Sequence, residues 1–388
     1  MKLACVVHRF GPDIAGGSEA HCRHVAEHLA VEHDVTILTT CARDHVTWRN
    51  EYPPGRSAFG ALNVLRFPVA RPRSLHQFAE ASELAFSGLA TDAEQTEWFR
   101  ENGPDSPGLL AHLRDEGHSF DYVLFWAFRY AEVHFGLPLV ADRAVLVPTA
   151  EDDPAIQLSI LERFFEAPAG YIFLTPEEQT LVEQHMQIRR PSCVIGSGLD
   201  PVLTRSAVDL RPLGVRDPFI LYLGRIDPNK GCADLLNHFT RYKAEHPGNV
   251  QLVMAGPANM PILDHPDVLP LGFVDEATRA ALLEQAVLLA MPSRFESLSL
   301  VLLEAWNHAL PAVVNGHCAV LKGQALRSDG ALYYRNYDEF TRCLSLLLER
   351  RDLARQLGAQ GLAYVDREYR WPAVVAKINA LFDRLPRI

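Results

Sequence analysis

Short apolar runs alternate with amphipathic segments along this chain, in two successive series. The first series is LACVVH (3–8), VTILTT (35–40), YVLFW (122–126), AVLVP (144–148), YIFLT (171–175) and CVIG (193–196). These runs are continuous rather than alternating in polarity, as parallel strands covered on both faces must be. Between them, SEAHCRHVAEHLAVE (18–32), PGLLAHLRDE (107–116) and PEEQTLVEQHMQ (176–187) carry apolar residues at helical spacing. A second series follows: FILYLG (219–224), VQLVMAG (250–256), VLLAMP (287–292) and PAVV (311–314), with ADLLNHFTRYKAE, DEATRAALLEQA and LVLLEAWNHA as its helices. Regular pattern lapses over PVLTRSAVDLRPLGVRDP (201–218), as in a linker. The chain is therefore predicted to be α/β, with two Rossmann-like domains, 1–200 and 201–368, facing across a cleft. The tail 369–388 places Val374, Val375, Ile378, Leu381, Phe382 and Leu385 on one helical face, which predicts packing against the first domain. Residues 41–106, rich in Pro, Gly and Arg, are predicted as loops around one short strand, NVLRF, and one or two helices.

Composition narrows the function classes. No run of about 18 apolar residues exists, so no membrane-spanning helix is expected, and the apolar start is too short for a signal-peptide core. Seven scattered cysteines without a CxxC pair point to reduced thiols and a cytoplasmic protein, with peripheral membrane contact left open. A net charge of −11 weighs against nucleic acid as the partner.

The chemistry concentrates in RFESLSLVLLE (294–304), where Glu296 and Glu304 stand eight apart around an apolar run. If SRFES is the turn after a strand and LSLVLLEAWNHA a helix capped by Ser297 or Ser299, the amides of Leu298, Ser299 and Leu300 are orphan donors that suit an anion. A carboxylate on either side of that anion suits a ligand with hydroxyls at both ends and phosphates between them. A glycosidase acid/base pair fits poorly: eight helical residues separate backbones by about 12 Å, against about 5 to 9.5 Å for working pairs. Arg225 and Lys230, in GRIDPNKG after the strand FILYLG, supply a guanidinium fork and a point charge for a diphosphate.

GRIDPNKG followed by PSRFESLSLVLLEA, with AGGSEAH near the N-terminus and an RW-containing C-terminal helix, resembles the family 4 glycosyltransferases, retaining enzymes of the GT-B fold. The resemblance implies a donor site in which Arg225 and Lys230 bind the diphosphate of a nucleotide sugar. In that site Glu296 holds the sugar hydroxyls, Glu304 the ribose, and the amides of Leu298, Ser299 and Leu300 the phosphates. It also implies that the Gly16–Gly17 loop reaches the donor phosphates, and that a hydroxyl of a glycan, lipid-linked glycan or small molecule accepts the sugar with retention. Surface polysaccharide or glycolipid assembly is the corresponding role. No cofactor or metal is expected: the acidic run at 151–153 is not D-x-D, and His21, His24 and His28, although on one helical face, lack a completing ligand.

On the acceptor side, Glu151 stands where many relatives have a histidine. It can orient the sugar, take the acceptor proton, or do nothing chemical. Asp153 followed by Pro154 forms a good N-cap and first-turn pair. Trp48, Arg49, Trp126, Arg129 and Asp152 are the candidate acceptor contacts. Alternatives are a GT-B epimerase or hydrolase using Glu151 with Asp152, and a non-catalytic sugar-nucleotide-binding partner of another transferase.

Overall fold

The computed structural model describes residues 1–14 and 16–386. The chain divides into two units, Met1–Gly198 with Trp371–Ile388, and Leu199–Arg370. In the first unit the strands are β1 (Lys2–Val6), β2 (Asp34–Thr40), β3 (Gly55–Phe59), β4 (Leu62–Phe67), β5 (Tyr122–Trp126), β6 (Ala144–Val147), β7 (Gly170–Phe173) and β8 (Ser192–Val194). They lie in the order β3-β4-β2-β1-β5-β6-β7-β8, all parallel except the β3–β4 edge hairpin. Every residue of β5, β6 and β7 is buried, because helices cover both faces of a parallel sheet.

The second unit holds β9 (Phe219–Leu223), β10 (Gln251–Ala255), β11 (Val268–Gly272), β12 (Leu288–Met291), β13 (Ala312–Asn315) and β14 (Ala331–Tyr334). This sheet is fully parallel, in the order β11-β10-β9-β12-β13-β14. The order turns round between β9 and β12, whose register pairs Leu288 with Ile220 and Leu289 with Leu221. The corresponding turning point of the first sheet lies between β1 and β5. Open α/β sheets bind ligands outside the carboxyl ends of strands at such switch points.

The tail helix Trp371–Phe382 belongs to the first unit. Trp371 stacks on His28 with ring centroids 3.7 Å apart, and Phe382 stacks on Tyr122 at 5.1 Å. Segment 41–106 is more ordered than its composition suggests. It holds the β3–β4 hairpin and two eleven-residue helices, Leu75–Ala85 and Asp92–Asn102, each with a side-chain N-cap from Ser74 or Thr91. No helix among the described residues is long and apolar enough to cross a membrane.

Candidate functional site

Two loops meet at the switch point of the second sheet. The chain leaves β9 through Gly224 and Arg225 and enters a single turn, Pro228–Lys230, where Asp227 accepts from the Asn229 amide at 2.9 Å. Lys230 is followed by Gly231, which opens the helix Cys232–Glu245 in a left-handed conformation, φ 71°. The chain leaves β12 through Pro292, and a Cβ on Gly231 would lie 2.3 Å from the Pro292 carbonyl oxygen. Only glycine therefore allows this approach. Its consequence is that Lys230 Nζ donates to Glu296 Oε1 at 2.9 Å. Arg225 is exposed, and its guanidinium makes no hydrogen bond or ion pair with any described residue.

The β12 loop ends at Ser299, a non-glycine residue at φ 69°, and the helix Leu300–Asn307 begins there. Neither Ser297 nor Ser299 caps it. Ser299 occupies the cap position, but its side chain makes no capping bond, and its buried hydroxyl has no partner. Left-handed backbone turns that hydroxyl away from the first helical amides, so the sequence expectation of a serine cap fails. The amides of Leu298, Ser299 and Leu300 consequently have no acceptor among the described residues. Gln324, fully buried on the helix Ala319–Ser328, donates to the Leu298 carbonyl oxygen at 2.5 Å. Because a trans peptide is planar, drawing that carbonyl inward points the Ser299 N–H the opposite way. No sequence signal marks Gln324, since its role depends on one carbonyl 26 residues away.

Glu304 lies in the second turn of the same helix and is paired with Arg279 of the helix Glu276–Gln285. Burial pushes the Glu304 carboxyl up, while Arg279 opposes the shift. Glu296 and Glu304 thus answer to different cations rather than to each other. Arg279 escaped the sequence reading because the pairing spans 25 residues of unrelated pattern.

In the first unit, Gly16 occupies the N-cap position of the helix Gly17–Leu29, and Gly17 is exposed; Ala15 lies outside the described residues. Ser18 is inside the helix and does not cap it; its hydroxyl donates to Glu19 Oε2 at 2.9 Å. Glu19 is buried, with Oε1 2.8 Å from His8 Nε2 and also paired with Arg9. Burial opposes its charge, but His8 and Arg9 hold the carboxyl well below its usual range. This cluster pins the helix start to the residues that follow β1.

His21 and His28 of that helix do different work. The Trp126 indole donates to His21 Nδ1 at 3.0 Å, so Nε2 carries the proton and donates to the Gly196 carbonyl at 2.8 Å. Burial lowers His21 to about 4. His28 stacks on Trp371. Among the described residues no group of three or more His, Cys, Asp or Glu could hold a metal ion.

The acceptor candidates divide. Trp48 and Trp126 are not surface contacts: they are 1% and 0% exposed. Each indole N–H is satisfied internally, Trp48 by the Asn102 carbonyl at 2.7 Å and Trp126 by His21, as large aromatics in a core require. Arg49 and Asp152 are exposed on loops. Arg129 pairs with Asp153, the residue after the expected Asp152. Asp153 also caps the turn Pro154–Gln157, accepting from the Ala155 amide at 3.0 Å. Glu151 is partly buried beside the charge of Arg129.

Residues 217–350 match the family model described as glycosyl transferases group 1. The glycosyltransferase MJ1607 of Methanocaldococcus jannaschii is 24% identical over 347 residues, covering 81% of this chain and 80% of that protein. Among solved structures, the sucrose-phosphate synthase of Thermosynechococcus elongatus superimposes with TM-score 0.72 at 17% identity, covering 98% of each chain. Anabaena HepE, solved in complex with UDP and glucose, gives TM-score 0.72 at 15% identity, covering 99% of this chain and 100% of its own. The chain is therefore a glycosyltransferase of the GT-B fold, with a group 1 domain in its second unit.

Proposed function

We propose that the chain moves a sugar from a nucleotide-diphosphate sugar to a hydroxyl acceptor with retention of anomeric configuration. The observation that carries this reading is the convergence, at the β9/β12 switch point, of Arg225, Lys230 and three unpartnered amides. Those groups suit a diphosphate. Glu296 and Glu304 then take sugar and ribose hydroxyls on either side. Retention is supported by the family resemblance and by the separate pairing of the two glutamates, which leaves no acid/base couple between them. In a front-side displacement, the anomeric carbon–oxygen bond to the β-phosphate breaks as the acceptor oxygen bonds to that carbon. The departing phosphate oxygen receives the acceptor's proton, and its charge is met by Arg225, Lys230 and the helix amides.

Thermal-shift titration with UDP-, GDP-, ADP- and dTDP-sugars tests the donor class: one base series raises Tm with saturation. Product analysis by NMR then reads the anomeric configuration. Inversion would refute retention, and release of free sugar in the presence of acceptors would favour a hydrolase.

Gln324→Met provides a second test. Methionine fills the same space but leaves the Leu298 carbonyl unpaired, at a cost of about 1–3 kcal/mol, and frees that peptide to rotate. Nucleoside-diphosphate affinity, measured by calorimetry with whichever nucleotide stabilises the wild type, is expected to weaken roughly tenfold. Unchanged affinity would show that the Ser299 amide does not touch the ligand.

A further inference from the structure

One backbone carbonyl at the end of β9 receives two side-chain donors. Tyr222, in the strand FILYL, is 1% exposed, and its hydroxyl donates to the Arg225 carbonyl oxygen at 2.6 Å. The thiol of Cys232, first residue of the helix Cys232–Glu245, meets the same oxygen at 3.8 Å. The strand before the turn and the helix after it thus both hold the peptide that follows Arg225.

A buried tyrosine hydroxyl needs some acceptor, and one bond alone would mean no more than that. The neighbouring bonds give it a direction. At the other edge of the same peptide, the Ile226 amide donates to the Pro257 carbonyl oxygen at 2.9 Å. One residue earlier, the Gly224 amide donates to the Ala255 carbonyl oxygen at 3.0 Å. A planar peptide held at both its C=O and its N–H resists tilting, and the Arg225 Cα is one of its corners. The backbone is therefore fixed where the side chain is exposed and its guanidinium makes no hydrogen bond or ion pair with any described residue. This is how a preorganised cation is built: the Cα–Cβ direction is set in advance, and a ligand has only the side-chain rotamers left to order.

Lys230 has separate supports. Its amide donates to the Asp227 carbonyl oxygen at 3.1 Å, and its ammonium is held by Glu296. Burial pushes both the Tyr222 hydroxyl and the Cys232 thiol up, so both stay protonated and remain donors. Tyrosine is the stronger of the two, because a thiol donates weakly.

We propose that Tyr222 is a positioning residue for Arg225: its hydroxyl, seconded by the Cys232 thiol, fixes the peptide from which the guanidinium reaches a nucleoside diphosphate. The effect on ligand binding rests on the donor reading above.

The test is calorimetry on the full-length protein with UDP, GDP, ADP and dTDP, continued with whichever binds most tightly. Tyr222→Phe keeps the ring and removes only the hydroxyl, and it is expected to weaken that nucleotide roughly tenfold. Cys232→Ala removes the weaker donor and should weaken it roughly threefold, which supplies a second reading if Tyr222→Phe fails to fold. Double variants separate positioning from a general loosening of the domain. In an Arg225→Ala background either change should alter affinity by less than about twofold, because no guanidinium is left to aim. In a Lys230→Ala background the loss should persist in full. The matching nucleoside, which lacks phosphates, should bind the wild type and Tyr222→Phe alike. Wild-type affinity in Tyr222→Phe, an undiminished loss on top of Arg225→Ala, or equal weakening of the nucleoside would each overturn the proposal and leave the donor reading standing. A wild type that binds none of the four nucleotides, or an Arg225→Ala variant that binds as tightly as the wild type, would instead sink the donor reading and this proposal with it.

Discussion

Lys230→Ala is expected to lower kcat/KM by roughly 10²–10³-fold, the scale seen when one stabilising group is removed from a developing oxyanion. The reason is geometric. Lys230 is presented from a single turn at the end of β9, and its ammonium lies 2.9 Å from Glu296 Oε1. In the free protein each group therefore occupies the other. On the proposed mechanism the diphosphate competes with Glu296 for the ammonium and releases that carboxylate for sugar hydroxyls. Removing the ammonium costs the reaction twice, at the leaving group and through an undirected Glu296. Arg225→Ala should fall in the same range, since its unpaired guanidinium supplies the other charge.

Stability should barely move in either variant. Arg225 has no partner to strand, and the partly exposed Lys230–Glu296 pair belongs to a class worth about 0–1 kcal/mol. Steady-state kinetics paired with thermal melts separate the two effects. Near-normal turnover in Lys230→Ala, with an unchanged melt, would remove the diphosphate clamp from the mechanism.

Much of this site was legible because local rules and the global fold agree there. Continuous apolar runs announced strands buried on both faces. A cation at the end of one strand and a carboxylate after another fall at a single sheet edge once the sheet is parallel. The expectation of a serine cap failed because it assumed ordinary extended backbone at Ser299, where the structure has φ 69°. Left-handed backbone at a non-glycine residue has no reliable sequence signature, and such strain concentrates at functional sites. Trp48 and Trp126 misled for a different reason. Both read as contacts at loops that follow strands, but each indole N–H finds a buried acceptor, a tertiary fact that spacing cannot carry. Within 41–106 the NVLRF strand and the two helices agree with the expectation, whereas its hairpin partner β3 was missed because GRSAF carries no apolar run. Gln324, Arg279 and the Arg129–Asp153 pair share one property: each acts across a long sequence separation, where a single chain offers no periodicity to read.

Gly231→Ala should be among the most destabilising single-methyl changes in the second unit. Two penalties combine. Alanine at φ 71° costs about 1 kcal/mol relative to glycine, and its Cβ would stand 2.3 Å from the Pro292 carbonyl oxygen. That oxygen is poorly placed to yield, because it accepts from buried Asn315 Nδ2 at 2.9 Å at the end of β12. The turn must move instead, carrying Lys230 away from Glu296. A total loss of about 2–4 kcal/mol is expected, within the range of strain at special backbone positions, together with a raised donor KM. Gly248→Ala is the matched control: an added Cβ there meets nothing within 4 Å, and its φ is not positive. Replacing a glycine where alanine is unstrained leaves stability unchanged or raises it slightly, by restricting the unfolded chain. Equilibrium denaturation of the pair isolates the local geometry from the generic glycine effect. Equal midpoints and equal donor KM in the two variants would mean that the approach of the β9 and β12 loops does not depend on glycine at 231, and that the Lys230–Glu296 contact is held by something else.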